Sequence, residues 1–226
     1  MSSATADTAT TVVVAIDGPS GSGKSSTSRG VAARLGLRYL DTGAQFRAIT
    51  YWMLTHDVDL TDPAAIAARC HEAVLESGTD PLDPTITVDG DDVALAIRGE
   101  AVTAAVSPVS AVPEVRARLL DLQRAIIGDG GVVVEGRDIG SVVAPDAAVK
   151  VYLTADPGAR AERRAAEEGG SDVAATEASL AARDRIDSGR ATAPLTRADG
   201  AVHIDTTYRT LDEVIDLVVA LVSETT

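Results

Sequence analysis

VVVAIDGPSGSGKSS, Val12 to Ser26, is the stretch that decides the fold. Val12 to Ile16 is an unbroken apolar run rich in β-branched residues, the pattern of a strand buried on both faces of a parallel sheet. The segment after Asp17, GPSGSGKSS, meets the pattern G-x-x-x-x-G-K-[ST] through Gly18, Gly23, Lys24 and Ser25. Ser25 to Leu35 then reads as a helix, which Gly36 ends. A strand before and a helix after are the context that makes this pattern a phosphate loop. Its glycines let backbone N–H groups wrap a phosphate, and the helix directs its positive end at the same place. Gly18, Pro19, Ser20, Gly21, Ser22, Gly23, Lys24, Ser25 and Ser26 are thus the candidate cradle for the phosphates of a nucleotide triphosphate. Lys24 is expected on the β- and γ-phosphates and Ser25 on Mg²⁺. Asp17 has two open readings: it holds Mg²⁺ through water, or it stabilises the loop backbone.

Working outward, Leu37 to Leu40 reads as a second strand. Ala44 to Leu54 and Pro63 to Leu75 read as helices. Thr85 to Val88 and Val93 to Ile97, around Asp89 and Gly90, alternate like a β-hairpin. Glu114 to Ile127 is helical, Val132 to Val134 and Val149 to Leu153 are strands, and Pro157 to Glu168 and Ala174 to Asp187 are charged helices around Gly169 and Gly170. Val202 to Ile204 is a last strand and Leu211 to Val222 a last helix. Strands alternating with helices predict an α/β fold, a parallel sheet covered on both faces. The hairpin interrupts that alternation, so residues from about 80 to 110 read as an inserted subdomain.

Composition narrows the function. The chain has 226 residues and a net charge of −14, enough for one α/β domain with insertions. Such an acidic chain is a poor general binder of nucleic acid or anionic membrane, and neither partner is expected. Cys70 is the sole cysteine, which excludes an intrachain disulfide. His56, His71 and His203 show no ligand spacing. With no long apolar span or secretory signal, the expected compartment is the cytoplasm. Residues 1–10 are small and polar and are expected to be a disordered tail. A monomer is expected.

Two classes share a phosphate loop. A GTPase switch needs N-K-x-D and D-x-x-G motifs. The chain contains no asparagine, and no Asp is followed by Gly three residues on. A small-molecule kinase needs instead positive charge converging on donor and acceptor phosphates. Four segments supply candidates: DTGAQFR (Asp41 to Arg47), SPVSAVPEVR (Ser107 to Arg116), EGRDIG (Glu135 to Gly140), and RDRIDSGRATAPL (Arg183 to Leu195).

With these segments in this order behind GPSGSGKSS, the chain resembles the bacterial cytidylate kinases, a nucleoside monophosphate kinase family, from about Val13 to Val222. The resemblance implies a P-loop three-layer sandwich, an NMP-binding insertion at about 42–112 carrying the hairpin, and a helical lid at about 157–190. It implies ATP-dependent phosphorylation of CMP or dCMP with Mg²⁺. Thr42, Phe46 and Arg47 would contact the acceptor nucleotide, with Arg47 on its phosphate. Ser107, Arg116 and Asp138 would read the cytosine edge. Arg137 and Arg190 would hold the acceptor phosphate and the moving phosphoryl group, acting with Lys24 as the catalytic set. Arg183 and Asp187 would engage the ribose. Arg160, Arg163 and Arg164 have two readings, lid arginines over ATP or ion pairs on a helix surface. Two departures stand out. Phe46 occupies a position where the family often has tyrosine, and Glu135 one where many members have aspartate.

Overall fold

The computed structural model describes residues 11–167, 169–190 and 192–225. The tail expectation for residues 1–10 and the helix end expected at Glu168 lie outside these residues. The decisive strand, β1 (Val13–Asp17), lies at the centre of a five-stranded sheet whose order is β2-β6-β1-β7-β8. Its neighbours are β6 (Val132–Gly136) and β7 (Val149–Thr154), with β2 (Arg38–Asp41) and β8 (Val202–Asp205) on the edges. Every pairing in this sheet is parallel. Alternation along β1 assigns its side chains to two layers. Val14 and Ile16 pack with helices α1 (Lys24–Leu35) and α8 (Leu211–Thr225) through Val31, Ala32, Ile215 and Val218. Ala15 faces the other way, with Leu40, Val132, Val134 and Ile127 of α5 (Pro113–Ile127). Each such valine or isoleucine, fully buried, contributes about 1.5–3 kcal/mol. A sheet covered on both faces is what the continuous apolar runs demand.

Register brings the functional edge together. Asp41 at the end of β2 is level with Glu135 of β6, and Asp17 of β1 with Gly136. The phosphate loop, DTGAQFR and EGRDIG therefore leave the sheet side by side at its C-terminal edge, where open α/β sheets bind ligands.

The segment between β2 and α5 builds a core of its own. It comprises α2 (Thr42–Thr55), α3 (Pro63–Arg69), a small antiparallel sheet of β3 (Leu75–Ser77), β4 (Ile86–Val88) and β5 (Asp91–Asp92), a 3₁₀ turn at Ala96–Arg98, and α4 (Glu100–Ala111). Ile49, Trp52, Met53, Ile66, Val88, Ile97 and Val109 pack together there with Leu119 of α5. Three expectations change. The helix expected to reach Leu75 ends at Arg69, because Leu75 pairs with Val88 in β3–β4. The returning hairpin strand is Asp91–Asp92, and Val93 to Ile97 coils instead. Val93 and Ile97 are both buried one helical turn apart, while Leu95, which an alternating strand would bury beside them, is 89% exposed. Finally, α4 runs where no helix was expected. Its Ala/Val-rich sequence shows no clear polar phase, and Pro108 lies inside it at the expense of one intrahelical bond.

Among the described residues, no helix is long and apolar enough to cross a membrane.

Candidate active site

The loop after β1 takes its shape from backbone only glycine tolerates. Gly18 has φ +149°, and a Cβ there would lie 2.1 Å from the carbonyl oxygen of Leu153. Gly23 has φ +84° and caps α1 without any side-chain bond, leaving the first N–H groups of the helix facing the loop. Lys24 is buried and donates from Nζ to the Pro19 carbonyl at 2.8 Å. Burial, and then the charge of Arg137, hold its ammonium well below the usual lysine range. An arriving phosphate offsets both penalties, so the loop is an anion site with its cation already in place.

Asp17 holds backbone, but that of the turn after β6 rather than of the phosphate loop. Its Oδ1 and Oδ2 accept from the backbone N–H groups of Ile139 and Gly140, each at 2.8 Å. Burial raises its pKa to about 6 against the pull of those two bonds. Each oxygen thus takes one bond from the turn after β6, and together they tie that turn to β1.

Glu135 is the polar hub. It is 3% exposed. Its Oε2 accepts from Ser25 Oγ at 3.0 Å, its Oε1 from the Tyr39 hydroxyl, and its carbonyl from Thr42 Oγ1 at 2.7 Å. Burial and the neighbouring Asp41 push its carboxyl above the usual range, against Lys24, Tyr39 and Ser25. The donor set suits a hard cation. Ser25 Oγ donates its hydrogen to Glu135 Oε2 at 3.0 Å, which leaves its lone pairs for a cation and places Glu135 behind it. No group of three or more His, Cys, Asp or Glu side chains with metal-site geometry occurs among the described residues. Mg²⁺ therefore fits here only with phosphate oxygens and water completing its shell, the usual way a nucleotide-bound Mg²⁺ is held.

From the loop a cleft of about 250 Å³ runs toward the insertion. It is lined by Arg47, Arg98, Arg116, Arg137, Arg164, Arg183 and Arg190, against Asp41, Glu135, Asp138, Glu167 and Asp187. Arg137 bridges its two ends: Nη1 donates to the Gly18 carbonyl at 2.8 Å and Nε to Asp187 Oδ2 at 2.9 Å. Arg116 donates to Asp138 Oδ2 at 2.5 Å and to the Ser110 carbonyl at 3.1 Å. Its guanidinium lies 5.3 Å from the centre of the Phe46 ring. Arg47 donates to the Ile97 carbonyl at 3.0 Å and to Thr103 Oγ1 at 2.9 Å. Burial and the charge of Arg183 bring Arg47 down to about 9, and burial and Arg137 bring Arg183 down to about 10. Both stay charged at neutral pH, at a cost that a bound anion relieves. Arg183 Nε and Arg190 Nη2 are buried with no hydrogen-bond acceptor, although Asp187 Oδ1 lies 3.4 Å from the latter. Thr42, Ser107, Asp138 and Asp187, the last on α7 (Val173–Gly189) with Arg183, complete this wall.

The three arginines expected in a lid divide. Arg164 lines the cleft beside Glu167, its partner at 3.1 Å. Arg160 and Arg163, which lie on α6 (Pro157–Glu167), are not among the lining residues. Arg160 pairs with Asp184 and donates to the Ser20 carbonyl at 3.2 Å. Arg163 donates to the hydroxyl and carbonyl oxygens of Thr206 at 2.9 and 2.6 Å. Both fasten α6 to the body of the protein. Of the loop residues, Ser20, Gly21, Gly23, Lys24, Ser25 and Ser26 line the cleft, whereas Gly18, Pro19 and Ser22 shape it from behind. Sequence reasoning missed Asp41, Arg98, Ser110 and Gly136 as lining residues. Asp41 and Gly136 sit at strand ends inside segments already singled out. Arg98 carries no such signal, because only the 3₁₀ turn brings it to the cleft.

The cytidylate kinase family model matches residues 14–224 of this chain. A cytidylate kinase of Streptomyces avermitilis is 58% identical over 226 residues, covering 99% of this chain and 98% of that protein. One of Streptomyces griseus is 59% identical over 223 residues, covering 97% and 96%. Among solved structures, an uncharacterized protein of Eubacterium ventriosum aligns over 95% of this chain and 99% of its own, with a TM-score of 0.52 and 11% identity. That likeness extends to the fold alone.

Proposed function

This chain belongs to the cytidylate kinase family, and we propose that it transfers the γ-phosphoryl group of ATP to CMP or dCMP, giving CDP or dCDP. It is a phosphotransferase acting on small-molecule nucleotides. The observation that carries the finer reading is the pair of buried N–H groups without acceptors, on Arg183 and Arg190. They lie in one cleft with Lys24. Unsatisfied buried donors on cations are costly, and a second phosphorylated ligand beside the triphosphate satisfies them.

ATP lies with its phosphates in the Gly18–Ser26 loop. Lys24 exchanges the Pro19 carbonyl for the β- and γ-phosphates, and Ser25, with Glu135 behind it, would hold Mg²⁺. When bound, Mg²⁺ neutralises charge on the phosphate oxygens. Arg47, Arg137 and Arg190 grip the acceptor phosphate and place one of its oxygens in line with the γ-phosphorus. That oxygen forms the new P–O bond as the bond to the β–γ bridging oxygen breaks, and ADP departs with the electron pair. Arg137 and Arg164 spread the charge of the transferring group. No general base is required, because a nucleoside monophosphate is largely ionised near neutral pH. Cytosine presents an amino donor beside N3 and O2 acceptors. The Asp138–Arg116 pair presents the complementary acceptor and donor, with Ser107 beside it and Phe46 for stacking. Arg183 and Asp187 face the ribose. The insertion at about 42–112 is the acceptor-binding unit and 157–190 the lid. Their closure excludes water, which would otherwise receive the phosphoryl group.

A coupled assay with ATP, Mg²⁺ and a nucleoside monophosphate panel tests this. CMP and dCMP are expected to exceed UMP, AMP and GMP in kcat/KM by at least about tenfold, since a mismatched base leaves buried polar groups unpaired. Equal or better use of AMP would sink the base-reading assignment. Acceptor-independent ATP hydrolysis alone would sink the kinase assignment.

A further inference from the structure

We infer that Tyr39 is a positioning residue for the metal–triphosphate complex, acting through Glu135 to fix which way the Ser25 hydroxyl points. This rests on the reading of Ser25 as the residue that holds Mg²⁺. The Tyr39 ring is 2% exposed and packs in the apolar layer beneath α1, yet its hydroxyl reaches out of that layer to Glu135 Oε1. Glu135 is held at its backbone by Thr42 Oγ1, which leaves its three side-chain torsions to be fixed. Tyr39 on one carboxylate oxygen and Ser25 on the other, at 3.0 Å, fix them.

The consequence concerns a single proton. A serine hydroxyl has one hydrogen and two lone pairs. In Ser25 the hydrogen is used on Glu135 Oε2. What remains to face the phosphate loop is lone pairs, which suit a cation and repel a phosphate oxygen. Were Glu135 free to swing, Ser25 would regain the option of donating its hydrogen to a phosphate, and the preference for a metal-bound triphosphate over the bare one would fall. Tyr39 removes that option from a position that touches neither nucleotide nor metal.

The test is calorimetric binding of ATP to the full chain, once in EDTA and once in excess Mg²⁺, for the wild type and Tyr39→Phe. Phenylalanine keeps the buried ring and deletes only the hydroxyl. The wild type is expected to bind ATP more tightly with Mg²⁺. In Tyr39→Phe the metal-free affinity is expected within about twofold of wild type, and the tightening by Mg²⁺ reduced about tenfold, the lower range for a partner behind a metal ligand. KM for CMP is expected unchanged. A variant with a lower Tm but undiminished tightening by Mg²⁺ would overturn the inference, leaving Tyr39 a packing residue. Glu135→Gln, with Tyr39 intact, is the second variant if Tyr39→Phe fails to fold, and must show the same loss. Binding needs no acceptor, so a failed CMP panel with intact Mg²⁺ tightening sinks only the acceptor assignment. No tightening in the wild type sinks the inference itself.

Discussion

At the scale of the residue, the charges buried around the phosphate loop are held by specific partners. Asp17 is the clearest case. A carboxylate beside a phosphate loop invites assignment to a metal, yet both its oxygens hold backbone N–H groups of the next loop. Its pKa stands at about 6 because burial outweighs those bonds. The sign of its effect on stability follows. Between pH 4 and 6 the folded chain keeps a proton on Asp17 that the unfolded chain has lost, so this group makes stability fall as pH rises through that window. The shift corresponds to about 3 kcal/mol. Asp17→Asn, which carries no such proton, is expected to gain on the wild type by roughly that amount from pH 4 to pH 7 in urea unfolding. A constant difference between the two proteins across that range refutes the burial argument. Glu135 had been legible only as a departure from a family pattern. Its partners Tyr39 and Ser25 lie 96 and 110 residues away in sequence, and no local pattern announces them.

At the scale of the element, α6 shows how one helix serves two purposes. Three arginines on it are equivalent as sequence, set among glutamates. In space, Arg160 and Arg163 bind the Ser20 carbonyl and Thr206, whereas Arg164 faces the cleft. Helical pitch separates Arg163 from Arg164, which diverge by about 100° around the axis; Arg160, one turn before Arg164, is kept from the cleft by its bonds to Asp184 and the Ser20 carbonyl. Arg163→Ala is expected to cost about 1–3 kcal/mol through the loss of its two charge-assisted hydrogen bonds to Thr206. It should speed hydrogen exchange in α6 while changing kcat less than about threefold. Arg164→Ala should leave exchange unchanged and depress kcat about tenfold or more, a contribution in the range of transition-state charge stabilisation. The reverse pattern in exchange and turnover would reassign both residues. The same scale explains the elements that sequence reading misplaced. Leu75 belongs to a strand because Val88 is there to pair with it, and α4 forms because its apolar residues find the insertion core. Short apolar runs have no preferred period until a neighbour supplies one.

At the scale of the whole molecule, an acidic chain carries a basic cleft. The net charge is −14, yet seven arginines and Lys24 face five carboxylates along the site. That concentration is kept apart from the rest by architecture, with the sheet on one side and an insertion with its own hydrophobic cluster on the other. Two units that share a cleft but not a core can close on a ligand that bridges them. The radius of gyration, about 17 Å for a compact chain of this length, is therefore expected to fall when CMP and a non-hydrolysable ATP analogue are both bound, and less with either alone. Scattering curves that superimpose with and without both ligands would refute closure. The sequence by itself determined the strand–loop–helix of residues 12–35, the parallel sheet and the family resemblance, because these rest on local chemistry: apolar runs that need two covered faces, and glycines that permit a phosphate cradle. Only the tertiary structure decided which arginines face the cleft, that Asp17 ties two loops together, and that Tyr39 stands behind Glu135. Those outcomes depend on strand register and helix rotation, which bring residues a hundred positions apart within hydrogen-bonding distance. Val12 to Ser26 could announce the cradle, but what stands around it is set by the strands that the sheet aligns beside β1.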